Sequence, residues 1–474
     1  MSGPSDMPLR RLLLLLAATG LLFSCELQAQ VLASGGIATA YVVLGTDGAA
    51  FARVLTTDTQ CPLIRFDARE VRMNVRAAPA SMPLRPTRSA PADSKPSVFP
   101  LLTCEKEIPR GTGSAKLGTL SLPLPKHQID RIVVIGDSGC RLKKSDGAYQ
   151  ACNDSDLYPF ARVAAAAARW KPDLVVHVGD FLYRENECAQ GNPGCAGSPW
   201  GYGWDAWQAD FFRPAAALLQ AAPWVMVRGN HESCSRAGQG WWRMMDPHRL
   251  LPAQDCNDPA NDQTGDYSDP YAVPLGSDTQ LIVLDTSNTP GSAIPPGDIR
   301  RIKYRNLYRQ LEILSRQAAY NIVANHHPLL GFATEQGPHG AVTLHPGNLG
   351  LQSVFGAINP LLMPPRIDVL LSGHVHMWQQ LSFSSPHPTQ FVAGFSGTME
   401  DLVPLPARLP PAATPAPGAV VEQHDSWVGG FGFMTMQRKG PGQWQVKVWD
   451  SAGRQINTCS IYGRRSSCAE AQVK

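Results

Sequence analysis

The chain has 474 residues, 43% hydrophobic and 17% charged, which indicates a globular protein with a sizeable core and room for two or three domains. The net charge is only +3 and no run of Lys or Arg exceeds a pair, so nucleic-acid binding is disfavoured as the main function. The 42 glycines and 41 prolines predict many loops and turns rather than long helices.

The N-terminus has the pattern of an export signal. Two arginines precede the apolar stretch 12–23, which is too short to span a bilayer and fits the core of a signal peptide. Two cleavage routes are open. The sequence Leu-Phe-Ser-Cys resembles a bacterial lipoprotein box in which Cys25 is lipidated, whereas ordinary cleavage would follow Ala29. We therefore expect residues 1–29 to be a signal peptide, and the protein to be periplasmic, an outer-membrane lipoprotein or secreted.

Eleven cysteines leave ten when Cys25 is set aside, and an even number in an exported chain predicts a disulfide framework. A cysteine zinc site is disfavoured because no Cys-x-x-Cys motif occurs. We hypothesise that neighbours in the sequence pair, as Cys61–Cys104, Cys140–Cys152, Cys188–Cys195, Cys234–Cys256 and Cys459–Cys468.

Residues 30–126 are expected to form a smaller N-terminal all-β domain. Segments 38–44 and 49–56 read as a hairpin around a turn at 45–48, and segment 76–97 is rich in Ala, Pro and Ser and reads as a loop. Catalytic residue types do not cluster here, which favours a packing or docking role.

After residue 126 strands alternate with helices, which predicts an α/β catalytic domain over 127–474. The chain ends in predicted antiparallel hairpins. The predicted strands are 131–135, 174–178, 224–227, 281–284, 321–325, 368–372, 431–437 and 444–449, and the predicted helices are 157–170, with Asp156 as N-cap, 205–221, 301–319 and 351–362.

Five of these strands end in residue types that bind metal ions. The carboxyl ends of strands are where α/β sheets place their ligands, so five such endings together predict a metal site although each alone could be a turn. The segments are Gly136-Asp137-Ser138-Gly139, Gly179-Asp180 with Tyr183, Gly229-Asn230-His231-Glu232, His326-His327 and Gly373-His374-Val375-His376.

This set resembles the calcineurin-like metallophosphoesterase superfamily and, within it, the purple acid phosphatases. Superfamily members usually begin with Asp-x-His, but Gly139 stands at the position of that histidine. Purple acid phosphatases have glycine there and a tyrosine three residues after the bridging aspartate, as Tyr183 follows Asp180. The resemblance covers about residues 128–460 and implies an α/β fold, a β-sheet sandwich flanked by helices.

The resemblance also implies two metal ions. Carboxylate and phenolate oxygens suit Fe(III), and an amide with two imidazoles suits divalent Fe, Zn or Mn. A buried tyrosine with no metal remains the alternative for Tyr183. The implied ligands are Asp137, Tyr183 and His376 for the first ion, Asn230, His326 and His374 for the second, and Asp180 as the bridge.

The implied reaction is attack of a metal-held hydroxide on phosphorus at acid pH, with phosphate monoesters as small substrates. His231 would stabilise the transition state and protonate the leaving alkoxide, and His327 would contact substrate. The alternatives are a phosphodiesterase acting on nucleotides or lipid head groups, and a non-catalytic surface protein. The sequence does not indicate an oligomeric state.

Other residues favour simpler interpretations. His177 is expected in the core, and His339 and His345 at the surface, while Arg236 is a candidate for phosphate binding. An aromatic cluster could line a substrate cleft, although a core role is favoured. Its members are Trp200, Tyr202, Trp204, Trp207, Trp241 and Trp242.

Overall fold

The computed structural model describes residues 36–85, 91–337, 340–399 and 402–469. The predicted signal peptide, Cys25 and His339 lie outside these ranges. No helix among the described residues is both long and apolar enough to cross a lipid bilayer.

Two large sheets form the centre of the structure. The first has eleven strands, in spatial order Arg465–Cys468, Gln455–Tyr462, Gln443–Asp450, Gly432–Gly440, Arg131–Ile135, Leu174–His177, Trp224–Met226, Ile37–Leu44, Ala50–Thr56, Leu102–Ile108 and Asn74–Ala77. The second has seven strands, in the order Tyr271–Pro274, Thr279–Val283, Tyr320–Ala324, Val369–Ser372, Thr389–Ala393, Trp378–Phe383 and Val421–Trp427.

The remaining strands of the described residues form four smaller sheets. A four-stranded sheet comprises Leu120–Ser121, Ala115–Leu117, Leu63–Phe66 and Arg69–Arg72. Three strand pairs are Leu142–Lys143 with Ala148–Tyr149, Ala80–Met82 with Ser97–Phe99, and Ala333–Gln336 with Val342–His345. The segment expected to be a loop over 76–97 therefore contains short strands within its described part.

Helices cover the outer faces of the two large sheets. The α-helices of the described residues are Phe160–Arg169, Trp204–Trp207, Ala216–Leu219, Gly238–Gly240, Asp262–Gly265, Ile299–Leu314 and Leu349–Phe355. Two π-helical turns lie at Gln208–Phe212 and Trp241–Met245. Short 3-10 turns lie at Thr46–Gly48, Pro91–Asp93, Lys144–Asp146, Asn230–Glu232, Pro252–Gln254 and Pro259–Asn261.

The inner faces of the two sheets share one apolar core. In the strand Arg131–Ile135, Ile132 and Val134 face this core, while Val133 and Ile135 face the helices on the other side. Alternating side chains point to opposite faces of a strand, so a run of apolar residues is buried on both. The expected sandwich of sheets flanked by helices is confirmed.

The N-terminal strands extend the first sheet. The strand Ile37–Leu44 runs parallel to Trp224–Met226, with Val43 opposite Trp224, and pairs with Ala50–Thr56 on its other side. The strand-rich N-terminal region is present, and the domain boundary at 126/127 stays a prediction.

Prolines explain two differences from the predicted helices. The helix predicted over 205–221 is interrupted because Pro214 has no N–H to donate. The residues before Pro214 form a π-helical turn, in which Arg213 N donates to Gln208 O. The helix expected from residue 157 begins at Phe160, and Pro159 rather than Asp156 precedes it. The residue before a proline disfavours helical geometry, so the earlier start was wrong.

All five predicted disulfides are confirmed: Cys61–Cys104, Cys140–Cys152, Cys188–Cys195, Cys234–Cys256 and Cys459–Cys468. Each closes a short sequence separation, between 7 and 43 residues. Such bonds persist in oxidising compartments.

Candidate metal centre

Five strands from the two sheets end at one edge of the sandwich. The parallel strands Arg131–Ile135, Leu174–His177 and Trp224–Met226 are neighbours in the first sheet. The parallel strands Tyr320–Ala324 and Val369–Ser372 are neighbours in the second. Because parallel strands point their carboxyl ends in one direction, the residues that follow all five converge.

The backbone turns sharply at three of these strand ends. Asp137, Asp180 and His374 have φ values of 52°, 58° and 69°, in the left-handed region that costs an ordinary residue about 1–2 kcal/mol. Gly179 precedes Asp180 with φ of 103°, and a Cβ there would lie 2.5 Å from His326 Nδ1. The strained turns bring the side chains together, and glycine makes the close approach possible.

The first group of side chains surrounds the hydroxyl of Tyr183. This oxygen lies 2.8 Å from Asp137 Oδ1, 2.9 Å from Asp180 Oδ2 and 2.8 Å from His376 Nε2. His376 Nε2 lies 3.3 Å from Asp137 Oδ1. The structure thus brings together the three residues expected at one ion and the expected bridge.

The second group surrounds Asn230 Oδ1, which lies 3.0 Å from both His326 Nε2 and His374 Nδ1. His326 Nε2 lies 3.1 Å from Asp180 Oδ2, the same oxygen that contacts Tyr183. Asp180 therefore joins both groups. His374 is exposed, so the cluster opens to solvent on its side.

The spacing of these atoms fits metal ligation. Ligand atoms that share an octahedral ion at about 2.1 Å lie about 3 Å from one another. The separations within both groups, from 2.8 to 3.3 Å, match this value. The donor set of carboxylate, phenol, amide and imidazole groups also suits transition metals.

The protein without a cation does not favour an ionised phenol. Burial raises the pKa of Tyr183 well above its ordinary value, and the carboxylates of Asp137 and Asp180 raise it further. Burial lowers the pKa of His326, but Asp180 outweighs this effect and the value reaches about 9. Burial lowers the pKa of His231 to about 3. A cation is therefore needed for Tyr183 to bind as phenolate.

Glu232 holds two of the ligand-bearing loops, and the sequence analysis gave it no role. Its buried carboxylate accepts hydrogen bonds from the backbone N–H groups of Gly229, Asp180, Phe181 and Leu182. Burial raises its pKa to about 8. The bond from Gly229 N to Glu232, three residues later, is the glutamate half of a capping box, and a glutamate at that spacing was the only available signal.

Asp210 is a second buried carboxylate that the sequence analysis missed. It accepts hydrogen bonds from the N–H groups of Cys140, Tyr183 and Arg184, and pairs with the Arg184 side chain. It lies in the π-helical turn Gln208–Phe212, and such turns often occur at functional sites. A single acid in a predicted helix carries no signal of this position.

The two predicted catalytic histidines lie beside the cluster. His231 Nε2 is 3.9 Å from Asp180 Oδ2. His327 is buried, its Nδ1 is 3.3 Å from Thr286 Oγ1, and its ring centroid is 4.2 Å from that of His374. His326, His327 and His374 could also share an ion. Their catalytic roles stay predictions.

Most of the remaining candidates follow the simpler interpretations, while the phosphate-binding role of Arg236 stays a prediction. His177 is buried and stacks on Phe181 at 3.7 Å between ring centroids, as expected for a core residue. His345 is exposed. Arg236 is buried and pairs with Glu185. The aromatic residues Tyr202, Trp204, Trp207, Trp241 and Trp242 are buried in the core beneath the helices, whereas Trp200 is half-buried under Lys95.

Comparisons with known proteins add the family. Residues 130–378, more than half of the chain, match the model of the calcineurin-like phosphoesterase family. A comparison with curated protein sequences gives no match.

Solved structures show the fold. The chain is similar to a purple acid phosphatase from yellow lupin (Lupinus luteus) seeds, with a TM-score of 0.53 and 13% identity over 91% of this chain and 74% of that one. It is also similar to PhoD, at TM-score 0.49 and 12% identity over 92% of both chains. A dimetal phosphatase from Danio rerio has a TM-score of 0.35 at 11% identity, over 71% of this chain and 99% of that one. Only the first score supports a shared fold.

The family implies a binuclear metal site, and the two groups of donor atoms joined by Asp180 provide a place for one. The chain belongs to the calcineurin-like phosphoesterase family and is a metal-dependent phosphoric ester hydrolase.

Proposed function

We propose that the protein is an exported binuclear-metal phosphatase that hydrolyses phosphate monoesters at acid pH. The observation that carries the proposal is the position of the Tyr183 hydroxyl, within 2.9 Å of Asp137, Asp180 and His376. A phenol among two carboxylates and an imidazole is a donor set for Fe(III).

The proposed ligands divide as the two groups of atoms do. The proposed second ion, held by an amide and two imidazoles, is divalent Fe, Zn or Mn. When bound, the two ions would supply Lewis acidity, an activated water even at acid pH, and ionisation of the phenol. The assignment is Asp137, Tyr183 and His376 to the first ion, Asn230, His326 and His374 to the second, and Asp180 to both.

The residues around the cluster indicate how the substrate would approach and which side chains would act on it. Asp137, Asp180 and His326 are buried and close the inner side of the cluster, while the exposed His374 marks the side on which substrate approaches. His231 would stabilise the transition state. Burial lowers its pKa to about 3, so it would protonate the leaving alkoxide only after the negative charge of a bound phosphoryl group has raised that pKa. His327, packed against His374, would contact the substrate.

The proposed location is outside the cytoplasm. Five disulfides distributed along the chain support folding in an oxidising compartment. This agrees with the signal peptide expected over residues 1–29. The periplasm, the outer membrane through a lipid at Cys25, and the medium are the three destinations to distinguish by fractionation.

The test compares a monoester and a bis-ester of the same chromogenic phenol with the purified, metal-loaded protein. We expect kcat/KM at pH 5 to be at least about tenfold higher for the monoester, with little turnover by Asp180→Asn. Faster cleavage of the bis-ester would favour a phosphodiesterase. No turnover of either ester after metal reconstitution would contradict both and favour a non-catalytic protein.

A further inference from the structure

The imidazole of His231 is held from several sides. Its Nδ1 lies 3.0 Å from Leu182 O and 3.2 Å from Glu185 Oε1. Its ring lies against the ring of Tyr183, with centroids 3.8 Å apart. The Nε2 atom lies 3.9 Å from Asp180 Oδ2, a member of the metal cluster. The neighbours of His231 therefore determine which nitrogen faces the metal cluster.

Arg236 joins these contacts through its guanidinium. The Nη2 atom forms an ion pair with Glu185 and lies 2.8 and 2.9 Å from the two ring nitrogens of His231. The Nη1 atom donates to the backbone oxygen of Asn230 at 3.3 Å. One guanidinium thus contacts the carboxylate, the imidazole and the backbone of the neighbouring loop residue.

The backbone that carries Arg236 is itself fixed. Arg236 N donates to Ser233 O at 2.9 Å, and Ala237 N donates to His231 O at 3.0 Å. The disulfide Cys234–Cys256 lies in the same turn. These backbone bonds and the disulfide support the turn that places Arg236 beside His231.

Direct phosphate binding is the competing role for Arg236. Its side chain is only 5% exposed, and its charge is matched by Glu185, which is fully buried. A phosphate beside this pair would meet a carboxylate as well as a guanidinium. The burial of Arg236 and the neutralisation of its charge by Glu185 both favour contact with His231 over contact with substrate.

We propose that Arg236 and Glu185 are positioning residues that fix the His231 ring so that Nε2 faces the leaving group. The assignment rests on the proposed phosphatase function and on the role of His231 in it. Arg236 and Glu185 act through His231 and do not contact the phosphoryl group.

The test uses Arg236→Gln, Glu185→Gln and His231→Ala in the full, metal-loaded protein. We expect Arg236→Gln and Glu185→Gln each to lower kcat by about 10–100-fold, less than the roughly 100–10,000-fold contribution of general acid catalysis because a misplaced His231 keeps part of its effect, and to change KM by less than about twofold. The loss is expected to be larger for an alkyl phosphate than for a nitrophenyl phosphate, because the poorer leaving group needs the proton more. In the His231→Ala background, Arg236→Gln is expected to cause no further loss.

Folding of the variants is measured separately, because either single substitution leaves one buried charge without its partner and could destabilise the protein. The double variant Glu185→Gln/Arg236→Gln removes both charges, and thermal unfolding and metal content are compared for all variants. Arg438→Gln is the matched control. Arg438 is also ion-paired, with Asp278 at 2.9 Å, but it lies beside Asp130, at the opposite end of the strand Arg131–Ile135 from Asp137. This control is expected to retain wild-type kcat.

Affinity for inorganic phosphate, measured by calorimetry, provides a readout independent of turnover. Unchanged affinity in Arg236→Gln supports the proposal. Weaker phosphate binding with raised KM and retained kcat would overturn it in favour of direct phosphate contact. A further loss of kcat in the His231→Ala background would also overturn it. If the wild type turns over no ester, the proposed function fails first and this assignment fails with it.

Discussion

Gly139 packs directly against the backbone of Tyr183. A Cβ atom on Gly139 would stand 2.7 Å from the backbone nitrogen of Tyr183, 2.7 Å from Asp210 Oδ2 and 2.9 Å from Phe181 O. No side chain fits there while the Tyr183 loop keeps its position. The glycine in the first motif and the tyrosine after the second are thus two parts of one arrangement.

We predict that Gly139→Ala displaces the Tyr183 loop, because two of the three nearest atoms, Tyr183 N and Phe181 O, are backbone and cannot rotate away. The free energy of unfolding is expected to fall by about 1–3 kcal/mol, as for other overpacked sites. Metal content is expected to fall with it, and both are measured on the purified protein by urea unfolding and elemental analysis. Gly291→Ala is the control, since nothing lies within 4 Å of its added Cβ. Wild-type stability and metal content in Gly139→Ala would show that the contact is unimportant.

Glu232→Ala is predicted to loosen the turn that carries Asp180. Four backbone N–H groups lose their acceptor, and each buried donor left unsatisfied costs about 1–3 kcal/mol. We expect a loss of more than about 3 kcal/mol in the free energy of unfolding and a weaker affinity for metal. The matched change Glu335→Ala, at an exposed residue paired with His345, is expected to leave both unchanged. Equal effects of the two substitutions would refute the role of Glu232.

How much the sequence reveals depends on how local each signal is. Asp137, Asp180 and His374 could be predicted because each follows its own strand at a turn. Asp210 could not, because its burial depends on loops from residues 140 and 183 folding over a helical turn. The pairing of Val43 with Trp224 is likewise a long-range contact without a local pattern. By contrast, the interruption of the helix over 205–221 could have been predicted from the sequence, because Pro214 lies within it.

His248 and Asp246 give a testable dependence of stability on pH. Burial lowers the pKa of His248, but the Asp246 carboxylate 2.8 Å away outweighs it and raises the value above normal. Burial raises the pKa of Asp246, yet His248 and other donors hold it well below normal. A raised histidine pKa stabilises the fold below about pH 6.5, and a lowered aspartate pKa does so above about pH 4. The pair therefore contributes most between these values.

His248→Gln is accordingly expected to lower the free energy of unfolding by about 1–2 kcal/mol at pH 5.5. The difference from the wild type is expected to shrink as pH rises through the folded-state pKa of His248, and to be small at pH 9. Urea unfolding of both proteins at the two pH values measures it. A difference that is equal at both, or larger at pH 9, would contradict the assigned charge pair.

The most direct test of the binuclear centre is the metal content and visible spectrum of the purified protein, beside those of Tyr183→Phe. We predict about two metal ions per chain, at least one of them iron, because the donor set combines oxygen and nitrogen ligands. We also predict a phenolate-to-iron(III) absorption band that is lost in Tyr183→Phe. A colourless protein with two divalent ions would contradict the iron assignment, and a folded protein that takes up no metal would contradict the centre itself.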